Sequence, residues 1–214
     1  MNPSILKFAA STAATMIGFT VVGTALLAFT ASSTKDIISK NVEQEKMALI
    51  GQTLPQALYD NNLVQDALVL QPDDKLGNDE SSFAYPARLQ GKTMAVVLEV
   101  IAPDGYSGKI NLLVAILKSG EIAGVRVVAH NETPGLGDYI DIAKSPWITD
   151  FDHTSLEKVR PQDWKVKKDG GQFDSMAGAT ITPRAVVKAV YKALQYFEKN
   201  KNKLLAEHSN IAGA

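Results

Sequence analysis

MAVVLEVIAPDGYSGKINLLVAILKSGEIAGVRVVAHNET, residues 94–133, sets three runs rich in Val, Ile and Leu between two short turn signals. The runs Ala95–Ile101, Ile110–Leu117 and Ile122–Ala129 have strand length, and β-branched residues favour the pleated backbone. Pro103-Asp104-Gly105 and Ser119-Gly120 interrupt them with the residue types that close tight turns. The second and third runs are therefore expected to form an antiparallel hairpin, with the first strand beside them as part of one sheet core.

Downstream, HNETPGLGDY (residues 130–139) crowds Pro134, Gly135 and Gly137 into four positions. Such backbone can fold closely around a flat ligand, with Glu132 and Thr133 as polar contacts; an ordinary strand-to-helix turn has the same composition. A helix is expected near Tyr139–Asp150. DSMAGATITP (residues 174–183) then places Gly178 and two threonines directly before a helical pattern. Small residues admit a phosphate to the backbone, and the free N–H groups of a helix N-terminus favour an anion. A capped tight turn is the plainer reading of the same residues. In the helix itself Val186, Val187, Val190, Tyr191, Leu194 and Phe197 recur at three and four residues, with Lys188, Lys192, Glu198 and Lys199 opposite. Thr182 is the expected N-cap and Pro183 the first helical residue.

Upstream, QPDDKLGNDESS (residues 71–82) reads as an exposed loop. TKDIISKNVEQEKMALIGQTLP carries apolar residues at Ile37, Ile38, Val42, Leu49 and Ile50, a helical stalk that Ser33 or Thr34 could cap. Ahead of it, Phe8 to Thr34 holds no charge and is bounded by Lys7 and Lys35. A helix needs roughly 20 residues to cross a hydrocarbon core of about 30 Å, so this segment is long enough to span. The hydroxyls of Thr12, Thr15, Thr20 and Thr24 can return to helix carbonyls. Gly18, Gly23 and the surrounding alanines would admit a neighbouring helix. A cleaved signal, cut near Ala28-Phe29-Thr30 or Ala31-Ser32-Ser33, competes with this reading, but the apolar run exceeds the length usual for one. Lysines flank both ends, so charge alone does not orient the span.

Composition narrows the chemistry. Lys plus Arg number 22 against 23 Asp plus Glu, a formal charge of −1 that gives nucleic acid no electrostatic reason to bind. Cysteine is absent, which excludes a thiolate nucleophile, a Cys-ligated cluster and a disulfide within the chain. His130, His153 and His208 lie too far apart for a two-ligand motif, and no metal site is expected. Neither a Ser-His-Asp order nor a distinctive carboxylate pair appears, so no catalytic residue is assigned.

Taken together, the two loop motifs resemble the FMN-binding domain family of ion-motive membrane redox complexes. The D-x-x-[S/T/A]-G-A-T pattern stands here as Asp174-Ser175-Met176-Ala177-Gly178-Ala179-Thr180, and the family's E-T-P-G-L-G stretch as Glu132 to Gly137. The resemblance covers nearly the whole chain and is strongest to the Rnf G-subunit branch, with the longer C subunit of sodium-translocating NADH:quinone reductase as the relative to set apart. Ala177 stands where many relatives carry Ser or Thr.

The resemblance implies FMN in phosphoester linkage to Thr180, transferred from FAD by a separate magnesium-dependent flavin transferase. It makes Asp174, Ser175, Gly178, Ala179 and Thr182 the attachment segment, and Glu132, Thr133, Gly135, Leu136 and Gly137 the segment beside the ring. Thr180 has no base near it in sequence, so self-modification is not expected. The implied protein is an electron-relay subunit, serving NADH or ferredoxin electron transfer beside other subunits of a complex in the bacterial inner membrane. Its N-terminus is cytoplasmic and its domain periplasmic. A membrane-tethered module that binds or senses a ligand noncovalently is the alternative. The expected fold is α+β: a single N-terminal transmembrane helix, then an extracytoplasmic domain with an antiparallel sheet and packed helices. Its divisions are an anchor (1–34), a stalk and start of the soluble domain (35–70), an FMN-binding domain (71–205) and a frayed tail (206–214).

Overall fold

The computed structural model describes residues 3–206, with side chains along the first helix at 7, 9–35, 44 and from 48 onward. The chain divides into two compact units, residues 1–45 and 46–214. Helix α1 (Pro3–Thr53) runs without a break through the first and into the second. The frayed tail expected beyond residue 206 and the stalk positions Ile37, Ile38 and Val42 lie outside the described side chains.

Within α1, Ala9–Lys35 is the one segment, among the described residues, long and apolar enough to cross a membrane; none of it is buried by the protein. Met16, Ile17, Phe19, Val21, Val22, Leu26, Leu27 and Phe29 are each 59–77% exposed, an apolar surface that only lipid or another helix can cover. The hydroxyls of Thr15, Thr20, Thr30 and Thr34 bond back to the carbonyls of Ser11, Met16, Leu26 and Thr30 at 2.8–3.0 Å. These four hydroxyls are thereby satisfied inside the helix, as hydrocarbon demands. Thr34 uses its hydroxyl in this way and caps nothing, so no new helix starts at residue 34; propagation costs less than a second nucleation.

The second unit is built on a five-stranded antiparallel meander, β1 (Leu68–Leu70), β2 (Ser82–Leu89), β3 (Lys92–Gly105), β4 (Gly108–Leu117) and β5 (Ile122–Ala129), in that spatial order. The three expected strands are present, and the hairpin through Ser119-Gly120 joins β4 to β5. β3 runs longer than its sequence pattern suggests: Pro103-Asp104-Gly105 belongs to the strand behind an irregularity in register, and the chain reverses at Tyr106-Ser107. β1 and β2 carry no clear strand signal in the sequence. β2 contains Pro86, ordinarily a strand breaker, but β1 has already ended beside it and Asn61 Nδ2 donates to the Pro86 carbonyl instead. Gln90 (φ 51°) and Gly91 (φ 77°) close the β2–β3 turn with the positive φ that tight hairpins select.

Both faces of the sheet are covered, which is why β3 and β4 read as continuous apolar runs. Val96, Leu98, Val100, Leu112, Val114 and Ile116 pack into the larger core with helix α2 (Ile181–Leu204). Ala95, Val97, Leu113 and Ala115 turn the other way onto Ile50 and Leu54 at the end of α1. Residues 71–82 are a loop exposed only in part: Leu76, Asn78 and Ser82 are buried, and the Leu76 carbonyl accepts from Ile101 N–H at 2.7 Å. The Asn78 side chain ties the loop further, donating to the Glu80 carbonyl and the Ser82 hydroxyl at 2.8 Å. The helix expected near Tyr139–Asp150 is replaced by 3-10 turns at Asp138–Ile140 and Pro146–Phe151, because Pro146 lacks the N–H that a continuous helix would need there.

The last turn of α1 lies so close to β5 that a Cβ on Gly124 would stand 2.7 Å from the Thr53 carbonyl oxygen. Arg126 donates to the Gln52 carbonyl at 3.1 Å, a cation at the negative end of the helix. Gly124→Val is expected to cost about 1–3 kcal/mol by overpacking. A lower denaturant midpoint of the full chain in detergent would register it, and an unchanged midpoint would mean that the helix end can retreat from the sheet.

Candidate functional site

A cleft of about 290 Å³ opens at the N-terminus of α2. Its walls come from three separate stretches: Tyr106 at the β3–β4 turn, the 132–137 loop, and residues 178–182. Each is held by a local device.

The first loop folds onto the Thr133 carbonyl, which accepts the N–H groups of Leu136 (3.1 Å) and Gly137 (3.0 Å); Gly135 N–H donates to Asp138 Oδ1 at 2.8 Å. Glu132 is 4% exposed, and both of its carboxylate oxygens are engaged. Ser107 N–H donates to Oε1 at 3.0 Å, and the Thr182 hydroxyl donates to Oε2 over a short contact. The backbone is shaped to leave room for this group. A Cβ on Gly105 would lie 2.9 Å from Glu132 Oε1, and one on Gly137 would lie 2.9 Å from both Glu132 Oε2 and Thr182 Oγ1.

The second loop is closed by Ala179 N–H on the Met176 carbonyl at 3.2 Å, with Gly178 at φ +85°. That angle suits glycine at the third turn position, and space is not the constraint there, since a Cβ would meet nothing within 4 Å. Beneath it, Tyr139 OH accepts from Met176 N–H at 3.2 Å, and Trp147 Nε1 donates to the Asp174 carbonyl at 2.9 Å. Burial pushes the Tyr139 phenol above its ordinary value, so it stays neutral in this role. Trp147, Phe151, Phe173 and Trp164 continue the support through ring contacts 4.7–5.5 Å apart. The packed rings leave the loop a fixed floor.

Helix α2 begins earlier than the sequence pattern suggests. Thr180 is the N-cap, with αR backbone (φ −84°, ψ −24°), and its side chain makes no capping hydrogen bond. Thr182 is not the cap: it lies within the first turn, which starts at Ile181, and its hydroxyl donates to the Glu132 carboxylate. Thr180 therefore presents a hydroxyl to the cleft with no hydrogen-bond partner among the described residues. Arg184 and Asp169 form a two-pronged ion pair at 2.6 Å that holds the first turn, and the guanidinium keeps the Asp169 carboxyl below its usual range. Lys188 does the same for Asp104 at the end of β3.

Of the residues expected at the site, Glu132, Thr133, Leu136, Gly137, Gly178, Ala179, Thr180 and Thr182 line the cleft. Gly135, Asp174 and Ser175 are not among its lining residues; Asp174 instead pairs with Lys167 at 2.7 Å. Tyr106 and Ile181 line it as well, although no motif singles them out. Tyr106 does leave a sequence signal, an aromatic ring between Gly105 and Gly108 where a turn asks for small polar residues. It is 67% exposed.

Residues 105–195, which contain every wall of this cleft, match the FMN-binding domain family, and residues 1–53, nearly the span of α1, match the RnfG N-terminal region. A protein of Pseudomonas aeruginosa, named as the G subunit of an ion-translocating oxidoreductase complex, is 48% identical over 188 residues, 88% of each chain. The chain belongs to the G-subunit family of ion-translocating oxidoreductase complexes. Other members of this family are similar over comparable or greater lengths. The G subunit of Shewanella loihica is 44% identical over 98% of this chain and 97% of its own. That of Vibrio cholerae is 45% identical over 87% and 88%.

Two glycines separate the site's two kinds of constraint. Gly137→Ala should drive the Glu132–Thr182 pair apart and cost about 1–3 kcal/mol by overpacking. Gly178→Ala should cost about 1 kcal/mol through left-handed backbone alone. Urea unfolding of the two variants reads the difference; equal losses would mean that the buried pair gives way freely.

Proposed function

We propose that this chain is the electron-relay subunit of a membrane-bound ion-translocating redox complex and carries FMN in phosphoester linkage on Thr180. Family membership and the FMN-binding domain support the broad statement, an electron-transfer subunit of an ion-translocating oxidoreductase complex. The single observation that carries the finer one is Thr180 itself, a cleft-lining hydroxyl at the first turn of α2 without a capping bond.

The residues present fit such a group. Gly178 has no side chain and Ala179 only a methyl beside Thr180, and the helix N-terminus favours a phosphodiester anion by about 0.3–1 kcal/mol. Leu136, Ile181 and Tyr106 give the cleft apolar surface for a flat ring. At about 290 Å³ the cleft lies at the lower end of the ~300–1,000 Å³ usual for small-molecule sites, so it would hold part of a flavin and leave part facing outward. Bound FMN supplies the electron acceptance and release; the chain's residues hold it, orient it and set its surroundings.

The Thr180 hydroxyl needs activation to act as a nucleophile, and the carboxylate in the cleft wall, Glu132, is already engaged by Ser107 N–H and the Thr182 hydroxyl, so we assign the modification to a separate flavin transferase. We place the protein in the bacterial inner membrane through residues 9–35, with its N-terminus cytoplasmic and its domain periplasmic. NADH or ferredoxin electrons would reach it through other subunits of the complex. The exposed apolar helix supports the anchor.

Coexpression with a flavin transferase should give a fluorescent band on a denaturing gel, lost in Thr180→Ala while the protein still folds. A band that persists in Thr180→Ala would overturn the attachment site. Flavin that copurifies with the wild type but leaves on denaturation would instead favour a tethered module that binds its ligand noncovalently.

A further inference from the structure

Glu132 stands out among the buried polar groups of the domain. Its carboxylate is 4% exposed, lies in the wall of the cleft, and has no cationic partner among the described residues. Its two bonds come from neutral donors, Ser107 N–H at 3.0 Å and the Thr182 hydroxyl. Asp138, the other buried carboxylate among the described residues, accepts from Gly135 N–H and does not line the cleft, while those of Asp66, Asp104, Asp163, Asp169 and Asp174 meet Arg or Lys. A buried charge that is hydrogen-bonded but not neutralised acts on whatever occupies the adjacent space, because the low dielectric around it screens poorly. The backbone makes room for it: Gly105 and Gly137 both omit a Cβ that would lie 2.9 Å from its oxygens.

We propose that Glu132 is a positioning and potential-setting residue: held as a carboxylate in the cleft wall, it lowers the reduction potential of the flavin bound there. The inference rests on the reading of the cleft as the FMN site and goes beyond it in giving one wall residue an electrostatic task. Reduction adds negative charge to the bound group. An anion already in the wall therefore destabilises the reduced state relative to the oxidised one. The Thr182 hydroxyl, the Ser107 N–H and the partial positive end of α2 moderate that charge without cancelling it. Through the same two bonds the carboxylate ties the Tyr106 turn to the first turn of α2, so one group sets both the width of the cleft and its field.

Redox titration of the flavin-loaded full chain tests this with two variants of opposite expected sign. Glu132→Gln keeps a side chain of the same shape and removes the charge. Its midpoint should rise by at least the equivalent of a tenfold change in the reduction equilibrium, about 30 mV for a two-electron couple. Thr182→Val keeps the charge and withdraws a donor, so its midpoint should fall. A merely structural role would loosen the cleft in both variants and move both midpoints in one direction, which would overturn the proposal, as would an unchanged midpoint in Glu132→Gln. Should Glu132→Gln fail to fold, a midpoint in Thr182→Val that rises or stays unchanged overturns it alone. A wild type without covalent flavin at Thr180 would instead defeat the underlying reading of the cleft, and the absorbance and gel fluorescence of the loaded sample separate the two failures.

Discussion

The meeting of Glu132 with Ser107 and Thr182 holds the candidate site together. It joins a hairpin turn, a glycine-rich loop and the start of a helix, three stretches distant in sequence. A buried carboxylate without donors would cost several kcal/mol, whereas each hydrogen bond to a charged group is worth about 1.5–3 kcal/mol. The fold is therefore committed to bringing all three together once Glu132 is inside. The glycines at 105 and 137 follow from that commitment, since any side chain there would occupy the space of the carboxylate.

The sheet makes the meeting possible. Its meander order puts β3 in the centre, and the alternation of Val96, Leu98 and Val100 against Ala95 and Val97 gives it two apolar faces. One face takes α2, whose N-terminus thereby arrives beside the end of β3. The other takes Ile50 and Leu54 from the end of α1. The last turn of α1 is thus part of the core of the second unit, and the backbone that leads into it is helical throughout.

Much of this was legible because local signals agreed. The β4–β5 hairpin, the amphipathic α2 and the uncharged span each rest on a period or turn that tertiary packing did not override. What escaped depended on distant partners. Pro86 sits in a strand beyond the reach of β1, where Asn61, twenty-five residues earlier, donates to its carbonyl. Thr182 looks like an N-cap, yet α2 starts at Ile181 with Thr180 at the cap position, and the Thr182 hydroxyl donates to an acceptor fifty residues away. Leu76, with Asn78 and Ser82, turns part of a polar loop inward. At the site, the two motif loops were visible as motifs, but Tyr106 and Ile181 entered through geometry, and Asp174 turns to Lys167 rather than to the cleft.

The central claim is a covalent bond between Thr180 and a flavin phosphate. Trypsin should release DGGQFDSMAGATITPR, residues 169–184, as one peptide. Mass spectrometry of that peptide, from full chain made beside a flavin transferase, is predicted to show the addition of one FMN less water, with fragment ions assigning it to Thr180. The same peptide at its unmodified mass, or with the addition on Ser175 or Thr182, would contradict the account.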